Sequence, residues 1–576
     1  MAGFFVSLCF NDINAGKAVF EAKNLSVSFE KKISSFTLIK FRKLLLTLDE
    51  FIYESGEHVI VASGTLSYRS LDAKSGFERL CKDILNGVLE NAELFGHYTI
   101  VHIYASTVKL YFDEAGYGAP YVIQNKFISS SFLACCELSE SLSLNQYSIF
   151  RTIYTGLYDS EDTTFHEIRK INKKECWNIE NIKVEFIPII QKIETPELTS
   201  QREGVTYQLN ELSSYMRRWK PQVEKYSGDI GLSSGYDSRL MVALLVEHNP
   251  GAFQVHSYWK EVEDFDNIIA KEIAKTIGLV LVGVPVKNRN NLAGNEFEGI
   301  LKNAFLYYDG IFPSNHGWVR EYRTSLHRSK ILGSARFGFS GISGEQYRND
   351  FNLLNKKYKI EYVIENILLE DFNHIVLRNS TFSYAGMEHL RDWVGKRLIP
   401  NGNRTMLSKE DILRMYCEMW VPGGPGLRNR MENTLSFFVS PFTERKIQHS
   451  AYASFKYLGV NGQFQASMIN RLNPNLAAIL SDYGYPFTKI PLAYILKSYL
   501  SGFVGRKTIA ALRKAKNSKY LDTFGKHRAN VEAKLYNLNQ YGLSFPIKSD
   551  LFKQDTYDRL IALSMLLNEY SNKIRL

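Results

Sequence analysis

The chain of 576 residues is too long for one hydrophobic core, and its length indicates two domains of ordinary size with a further element. Its residues are 45% hydrophobic and 23% charged, which is typical of folded globular proteins and excludes a disordered or low-complexity chain. The formal net charge is +10, but lysine and arginine are spread along the sequence. This spread favours a solvated basic surface over a nucleic-acid-binding face. We therefore expect a folded protein of enzyme size with no nucleic acid partner.

The six cysteines and the amino-terminal sequence bear on the cellular compartment. The cysteines show no metal-ligand spacing, and only Cys135 and Cys136 are close in sequence. This pattern is typical of reduced thiols in the cytoplasm. The opening MAGFFVSLCFNDINAG has no basic region before its apolar residues, and no uncharged apolar run reaches about 18 residues. These features predict a cytoplasmic protein with no export signal and no membrane span.

The first third of the sequence has the alternation of a β-rich domain. In HYTIVHIYASTVKLYFD, apolar residues recur at every second position on both sides of a turn of small residues. They form two sets, Val101, Ile103 and Ala105, then Val108, Leu110 and Phe112. This period of two predicts a β-hairpin. The turn-rich DEAGYGAPYV and a further strand-like segment, KFISSSFLACCEL, follow it.

A polar segment, QKIETPELTSQREG, marks the predicted end of this domain. After it, Thr199 or Ser200 can cap a helix. The predicted apolar face of this helix has the spacing of four, three and four residues that a helix requires. It consists of Val205, Leu209, Leu212 and Met216.

Strands and helices alternate beyond this helix. The sequence predicts strands at Asp229–Leu232, at Phe253–Trp259 and in LVLVGVPV. Helices are predicted at Arg239–Val246 and in FDNIIAKEIAKTIG, which Gly278 ends. Such alternation indicates a parallel sheet covered by helices. The chain ends in a largely helical stretch that contains the basic segment GRKTIAALRKAKNSK.

The stretch GDIGLSSGYDSRLMVALL, residues 228–245, places two serines, a glycine and an aspartate between a predicted strand and a predicted helix. In open parallel sheets, ligands bind at the carboxyl ends of strands, where such a loop leads into the next helix. A helix N-terminus attracts phosphate, and Gly235 allows the backbone to approach it closely. Ser233 and Ser238 add hydroxyl donors, and Asp237 suits a cation placed between its carboxylate and phosphate. The stretch predicts a magnesium–pyrophosphate site; the alternative is a turn that only caps the helix.

The segment SSGYDS resembles the SGGxDS pyrophosphate loop of N-type ATP pyrophosphatases, and its neighbours are similar to segments of the asparagine synthetase family. MAGFF corresponds to the family's Met-Cys-Gly, and DEAGYGAPYV with FISSSFLACCEL corresponds to RDRxGxxPLYY and FASExKAL. The segment FSGISGEQYRND, Phe339–Asp350, resembles the family's SGEGxDE loop. The segment VSPFTERKI, Val439–Ile447, resembles VPFLDxR. These segments keep the family's order up to about Pro491.

The resemblance implies an α+β N-terminal Ntn-hydrolase-like sandwich followed by an α/β parallel-sheet ATP-pyrophosphatase domain of the adenine nucleotide alpha hydrolase type. Residues 1–195 would form a glutaminase-like Ntn domain. Residues 196–495 would form the asparagine-synthetase-like ATP-pyrophosphatase domain. Residues 496–576 would form a helical, basic C-terminal extension.

The amino terminus departs from the family. There, removal of Met1 exposes a cysteine that attacks glutamine with its own amine as base. This chain has Ala2 at that position, and a methyl group cannot attack a carbonyl. Cys9 is a poor substitute because it carries no free amine. Unless Ala2 is an engineered replacement, we expect the first domain to lack glutaminase activity.

The resemblance places the ligand-binding residues at strand ends, with ATP and Mg²⁺ as the implied cofactors. The nucleotide-binding set comprises Leu232, Ser233, Ser234, Gly235, Tyr236, Asp237, Ser238, Ser257, Ser340 and Gly341. Within it, Leu232 and the strand around Ser257 would flank adenosine, and ordinary sheet core is the alternative. Asp237 and Glu345 are the implied metal ligands, and Glu345 and Lys489 are the implied catalytic residues. Lys489 lies a few residues beyond the position of a lysine in the family's RxKxGF segment, and a solvated surface lysine is the alternative.

Two registers are open for the acidic loop. Aligning the first SG of FSGISGEQYRND with the family's Ser-Gly puts Glu345 at the metal-binding aspartate and leaves Ile342 where a catalytic glutamate is expected. Aligning the second SG makes Glu345 that glutamate and puts Arg348 at the metal-binding position. The first register is preferred. The alternative for Glu345 is an exposed loop carboxylate without a role.

Two further residues match the family more loosely. Asp309 in YYDGIFPSNHGW corresponds to an aspartate near the acceptor amino acid, and a turn residue is the alternative. Arg430 in RNRMENTLSFF lies in a segment similar to a DRxS helix, and a structural role is the alternative.

The resemblance implies a ligase that forms an acyl-adenylate from ATP and a carboxylate, releases pyrophosphate and passes the acyl group to ammonia or a substrate amine. Relatives without the nucleophile, β-lactam synthetase and lasso-peptide macrolactam synthetase, use an amine already on the substrate. The expected substrate is therefore a carboxylate-bearing small molecule, a peptide or a uronic-acid sugar in specialised peptide, natural-product or surface-polysaccharide biosynthesis. A homodimer or a biosynthetic partner protein is left open. The alternative is a catalytically degenerate homologue that only binds a nucleotide or a partner.

Overall fold

The computed structural model describes residues 3–8, 13–33, 36–158, 161–179, 181–191, 193–259, 264–285, 292–312, 318–369, 383–398, 406–504, 526–545 and 554–575. Ala2 and Cys9, which bear on the predicted loss of glutaminase activity, lie outside these residues. The basic segment 505–519 also lies outside them.

The first domain is built on two six-stranded sheets. The first contains, in spatial order, Ile168–Lys170, Tyr121–Ile123, Phe127–Ser129, Phe4–Ser7, Phe36–Phe41 and Val27–Ile33. The second contains Glu175–Ile179, Ile182–Ile189, Thr107–Asp113, Leu94–Tyr104, His58–Tyr68 and Ile52–Ser55. Neighbouring strands are antiparallel except for Ile182–Ile189, which runs parallel to Thr107–Asp113.

The two sheets pack face to face because alternate side chains of each are apolar. Phe4 and Val6 of the first sheet share one buried cluster with Val101 and Leu110 of the second. Three helices pack on the outer faces, Asn14–Ala22 and Phe132–Leu138 on the first sheet and Ala73–Leu85 on the second. The layers therefore run helix, sheet, sheet, helix. The predicted Ntn-hydrolase-like α+β sandwich stays a prediction.

The predicted hairpin is confirmed. Leu94–Tyr104 pairs with Thr107–Asp113, and Ile103 lies opposite Val108. Ala105 was expected on the strand face but lies in the turn with φ of +46°. A two-residue hairpin turn requires positive φ, and this requirement overrides the alternation at that position.

The segment KFISSSFLACCEL is only partly a strand. The strand Phe127–Ser129 is followed by the helix Phe132–Leu138, so the second half of the prediction is wrong. Ser131 begins this helix because its side chain accepts a hydrogen bond from the Ala134 amide. The helix is buried on nearly all sides, so its sequence lacks the alternation of apolar and polar residues that indicates a helix.

A wholly parallel five-stranded sheet forms the centre of the second domain. Its strands, in spatial order, are Leu281–Pro285, Phe253–Trp259, Gly228–Gly231, Phe337–Phe339 and Phe437–Val439. Along the chain, the strands that follow Gly228–Gly231 are added first on one side of it and then on the other. Gly228–Gly231 and Phe337–Phe339 therefore flank the topological switch point, where such sheets bind ligands.

The predicted elements of this domain are confirmed in type and order. Helix Gln201–Tyr226 begins after Ser200, whose side chain accepts a hydrogen bond from the Glu203 amide, and its predicted apolar face is buried. The crossover helices after the first two strands are Tyr236–His248 and Phe265–Thr276. The remaining helices are Gly294–Tyr307, Trp318–Ile331, Ile360–Val363, Ser383–Leu398, Lys409–Met415, Val421–Gly423, Pro425–Leu435, Arg445–Tyr452, Gln463–Leu472, Pro474–Ala478 and Leu492–Val504.

The carboxyl-terminal residues return to the first domain. Helices Arg528–Tyr536 and Gln554–Glu569 precede a short strand, Ile574–Arg575, which pairs in parallel with Leu142–Ser143. The Tyr570 hydroxyl donates to a carbonyl oxygen of the first domain at 3.2 Å. In the part of the chain described here, no helix combines the length and the apolar character needed to cross a bilayer.

Glu444 is a buried carboxyl at the junction of the two domains. It precedes helix Arg445–Tyr452 and accepts hydrogen bonds from the Gly96 amide at 3.0 Å and the Tyr215 hydroxyl at 3.2 Å. Burial, together with the neighbouring Asp113 carboxylate, raises the pKa of Glu444 to about 8. The carboxyl is therefore protonated in the folded chain at neutral pH.

Stability is expected to fall as the pH rises between the unfolded and folded pKa values of Glu444. An unfolded glutamate titrates near pH ~4.3 and the folded one near 8, so the folded chain holds one more proton in this window. Raising the pH therefore favours unfolding. Glu444→Gln should remove on the order of 3 kcal/mol of this loss between about pH 5 and 8.5. Urea unfolding at several pH values in this range measures the free energy of unfolding of each protein. If Glu444→Gln shows the same dependence on pH as the wild type and the exposed control Glu197→Gln, the expectation is wrong.

Candidate functional site

Two loops meet at the switch point of the parallel sheet. The first loop, residues 232–235, joins the strand Gly228–Gly231 to the helix Tyr236–His248; the acidic loop, residues 340–350, follows the adjacent strand. Gly341 lies so close to the helix that a Cβ there would stand 2.7 Å from the Asp237 carbonyl oxygen. A Cβ on Gly344 would overlap the Asp237 carboxylate. Both positions need glycine for this approach.

The helix Tyr236–His248 has an uncapped N-terminus. Its N-cap residue is Gly235, which has no side chain to accept a cap hydrogen bond. The first turn of such a helix carries N–H donors without intrahelical partners and a partial positive charge. It favours a bound anion.

The serines of the first loop hydrogen-bond to residues of the two helices that follow it. The Ser233 amide donates to Ser238 Oγ at 3.1 Å, and the two hydroxyl oxygens lie 2.8 Å apart. The Ser234 amide donates to Asp266 Oδ1 at 2.6 Å. The Gly235 amide reaches Ser233 Oγ only at 3.4 Å. The Ser238 hydroxyl donates to the Ser233 carbonyl oxygen at 3.1 Å, so the Ser233 hydroxyl is the donor to Ser238 Oγ and both hydroxyl protons are engaged. The donors left for an anion are therefore the amides of the first helical turn.

Arg239 fixes the shape of the first loop. Its guanidinium is fully buried and stacks on the Phe487 ring at 4.5 Å. It donates hydrogen bonds of 2.7 to 3.2 Å to the carbonyl oxygens of Ser234, Leu476, Ile479 and Leu480. One side chain thus ties the loop to the segment that follows helix Gln463–Leu472.

Arg348 lies between the two carboxylates that the resemblance implies as metal ligands. Its Nη2 atom donates to Asp237 Oδ2 at 3.0 Å and lies 3.6 Å from Glu345 Oε1. Gln465 Nε2 donates to Asp237 Oδ1 at 2.8 Å. The Tyr416 hydroxyl donates to Glu345 Oε2 at 3.2 Å. Every carboxylate oxygen of the pair therefore faces a donor or a cation.

Burial and mutual repulsion perturb the pKa values of this group. Burial raises the pKa of Asp237, and the positive charge of Arg348 partly offsets this. Burial and the Asp237 carboxylate raise the pKa of Glu345 to about 7. Burial lowers the pKa of Arg348, but the carboxylates of Asp237, Glu345 and Asp350 outweigh this effect and hold that pKa above its usual value. The guanidinium is therefore the fixed charge around which the two carboxyls titrate.

The group does not fit a divalent cation as it stands. Magnesium takes near-octahedral oxygen coordination through one or two carboxylates, waters and substrate phosphates. The oxygens of Asp237 and Glu345 already face Arg348, Gln465 and Tyr416. Over the described ranges, no three His, Cys, Asp or Glu side chains are grouped so that they could hold a metal ion.

Leu232 directly follows the strand Gly228–Gly231, and Ser257 lies within the neighbouring strand Phe253–Trp259. Leu232 is buried, and its amide donates to the His256 carbonyl oxygen at 2.7 Å, which extends the sheet. The Ser257 hydroxyl is buried and bonded to the side chain of Asn267. Their side chains pack within the sheet and against its covering helix, so a bound nucleotide would contact only their backbone atoms.

Tyr236 and Ser340 both have local structural contacts. The Tyr236 ring is buried and stacks on Phe487 at 3.9 Å, and the Arg348 guanidinium lies over it at 5.4 Å. The Ser340 side chain accepts a hydrogen bond from the Ile342 amide at 3.2 Å, which shapes the acidic loop.

Lys489 is not joined to this group. The side chain is exposed, and within the described residues it makes no hydrogen bond or ion pair with either loop. Its predicted catalytic role has no contact to support it, which favours the solvated lysine.

Asp309 contacts the first domain. It accepts hydrogen bonds from Lys23 Nζ at 2.7 Å, from Ser131 Oγ at 2.5 Å and from the Phe132 amide at 2.5 Å. Its φ of +58° is that of a turn residue. These contacts favour the structural alternative, in which Asp309 stabilises the start of helix Phe132–Leu138.

Arg430 also connects the two domains. It donates to the Ser130 carbonyl oxygen at 2.8 Å and lies over the Tyr121 ring at 4.9 Å. A structural role is favoured here as well.

Sequence reasoning missed Asp266, Gln465 and Tyr416. Asp266 lies in the first turn of the helix after the neighbouring strand, and an acidic residue there was a usable signal. Gln465 and Tyr416 lie in helical segments that are distant in sequence and carry no motif, so no sequence pattern predicted their place in the site.

Comparisons of the sequence with protein-family models and with curated proteins give no match. The function is therefore inferred from the residues of the two loops.

Proposed function

We propose that the chain binds ATP at the first loop and activates a carboxylate as an acyl-adenylate, which ammonia or a substrate amine converts to an amide. The observation that carries the proposal is the uncapped N-terminus of helix Tyr236–His248 beside a glycine-rich acidic loop at the switch point of a parallel sheet. This is where open sheets of parallel strands bind phosphate-bearing ligands.

The chemistry of the first loop suits a triphosphate. The first-turn amides are donors, and Arg348 adds a positive charge in the same group. The Ser233 and Ser238 hydroxyl groups lie beside these amides and would have to exchange their present acceptors for phosphate oxygens. Adenylation expels pyrophosphate, whose departure is favoured by fixed donors and cations that need no rearrangement. Magnesium remains an expectation of the resemblance, because the carboxylates do not fit it while Arg348 lies between them.

The backbone of the acidic loop supports the first register. The strand Phe337–Phe339 ends directly before Ser340, as the alignment of the first SG requires. Ser343 has φ of +74°, in the left-handed region that favours glycine. The first register pairs Ser343 with the second glycine of the family's SGEG. Glu345 then takes the position of the family's metal-binding aspartate.

The proposed substrates follow from the resemblance and the amino terminus. With Ala2 in place of a nucleophilic cysteine, glutamine is not the proposed nitrogen source. The acceptor is ammonia or an amine on the substrate itself, and the carboxylate belongs to a small molecule, a peptide or a uronic-acid sugar. We further propose that the protein acts in the cytoplasm, as a homodimer or together with a biosynthetic partner protein.

Pyrophosphate release with hydroxylamine as a general amine tests the proposal. The protein is incubated with ATP, magnesium and panels of amino-acid derivatives, acidic peptides and uronic acids. One hydroxamate should form for each pyrophosphate released, because hydroxylamine captures any acyl-adenylate. Absence of ATP binding would contradict the proposal at its first step.

The degenerate alternative makes a different prediction. Two observations favour it. Ile342 occupies the position where a catalytic glutamate is expected, and the Asp266 carboxylate already accepts a hydrogen bond from the Ser234 amide. A degenerate homologue would bind ATP and give no hydroxamate with any panel. Hydroxamate formation with one panel excludes it.

A further inference from the structure

We propose that Arg348 is the resident cation of the Asp237–Glu345 pair and that it excludes divalent cations from the nucleotide-free protein. The inference rests on the proposed function, since it concerns the charge of the same site. It goes beyond that function because it replaces a metal by a side chain.

The contacts place the guanidinium where a bridging cation would have to lie. Arg348 Nη2 is 3.0 Å from Asp237 Oδ2 and 3.6 Å from Glu345 Oε1, so a single nitrogen faces both carboxylates. A divalent cation bound by the pair would need those two oxygens. Guanidinium and metal are therefore mutually exclusive at this position.

The local backbone delivers Arg348 to the pair. Glu345 lies in the 3₁₀ turn Gly344–Tyr347, and Arg348 follows directly, three residues after Glu345. In a 3₁₀ turn residues three apart lie on the same side. The position of the charge follows from the fold of the acidic loop and needs no ligand.

Two aromatic residues hold the guanidinium in place. It lies over the Tyr236 ring at 5.4 Å, and its Nη1 donates to the Tyr483 hydroxyl at 3.4 Å. The Arg348 side chain is only 11% exposed. Its buried Nε atom has no hydrogen-bond partner among the described residues, so the carboxylates supply the compensation that a buried guanidinium requires.

The charges of the group explain the exclusion. Asp237 and Glu345 carry up to two negative charges, the nearby Asp350 carboxylate adds to their mutual repulsion, and the positive charge of Arg348 offsets part of the total. Without the guanidinium, two partly buried carboxylates would face each other uncompensated and would attract a divalent cation. Removing the positive charge should therefore create a metal site that the wild type lacks.

Binding of Mn²⁺ to the nucleotide-free protein tests the inference, with free Mn²⁺ measured by its electron paramagnetic resonance signal. The wild type is expected to bind no more Mn²⁺ than Asp237→Asn. Arg348→Met keeps the side-chain stem over the Tyr236 ring and removes the charge. This variant should bind one equivalent of Mn²⁺ with an affinity at least about tenfold above that of the wild type. The double variant Arg348→Met/Asp237→Asn should lose that equivalent, and Arg348→Lys should behave as the wild type.

Two results would overturn the inference. One is an equivalent of Mn²⁺ on the wild type that Asp237→Asn removes. The other is a folded Arg348→Met, shown by its thermal unfolding, that binds no more Mn²⁺ than the wild type. If Arg348→Met does not fold, Arg348→Gln, which also removes the charge, takes its place with the same expected gain in Mn²⁺ binding. The experiment contains no nucleotide, so its failure is distinct from a failure of the proposed ATP binding.

Discussion

Asp237→Asn is expected to lower the rate of pyrophosphate release by about 100-fold or more. Asp237 lies in the first turn of the uncapped helix and accepts hydrogen bonds from Arg348 and Gln465. An asparagine keeps the shape but loses the charge that holds Arg348 beside the loop. The donors around the triphosphate then lose their fixed arrangement, which is the source of this kind of rate enhancement. Initial rates with ATP and the active carboxylate measure the loss.

The matched control for Asp237→Asn lies on the same helix. Glu247 is exposed near the other end of Tyr236–His248, so Glu247→Gln makes the same kind of change away from the loop. It should leave the rate within about twofold of the wild type. A folded Asp237→Asn variant that keeps half of the wild-type rate would remove Asp237 from the site.

Arg239→Met is expected to lower the free energy of unfolding by about 3–5 kcal/mol. The arginine is fully buried, and its guanidinium serves four carbonyl oxygens. Methionine fills part of the volume but removes the donor from these acceptors, and the hydrogen bonds to Ser234, Leu476 and Ile479 are buried. Each buried acceptor left without a donor costs about 1–3 kcal/mol. Urea unfolding of the second domain measures the change, provided that a single transition is observed.

The control for Arg239→Met is an exposed arginine. Arg217 lies on the solvent side of helix Gln201–Tyr226, and Arg217→Met should change stability by less than about 0.5 kcal/mol. Equal effects of the two substitutions would show that the buried hydrogen bonds of Arg239 are not a main source of stability. Arg239→Met should also weaken ATP binding, because the first loop loses its anchor.

The parts of the fold that the sequence predicted correctly have strong periodic signals. Phe253–Trp259 was predicted with its observed bounds, and helix Gln201–Tyr226 was predicted from a four-residue apolar face and the Ser200 cap. The errors lie where a turn conformation or a helix cap overrides the two-residue alternation of apolar side chains. Ala105 entered a turn, and Ser131 capped a short buried helix where alternation suggested a strand.

The position of the candidate site was predictable, but its internal contacts were not. A serine-glycine-aspartate loop after a buried strand identified the first loop, because loops of this kind lie at the ligand-binding edge of parallel sheets. The contacts of Asp237 come from Arg348 and Gln465, which are 111 and 228 residues away in the sequence. Periodicity carries no information about which distant side chains converge. The asparagine synthetase resemblance, with its ATP and magnesium, stays a prediction.

A structure of the protein with a non-hydrolysable ATP analogue would locate the triphosphate relative to the first loop. We expect a terminal phosphate within about 3 Å of the first-turn amides at Tyr236 and Asp237, with the Ser233 and Ser238 hydroxyl groups beside it. A nucleotide bound elsewhere, with those amides covered by protein atoms, would show that the first loop is not the ATP site.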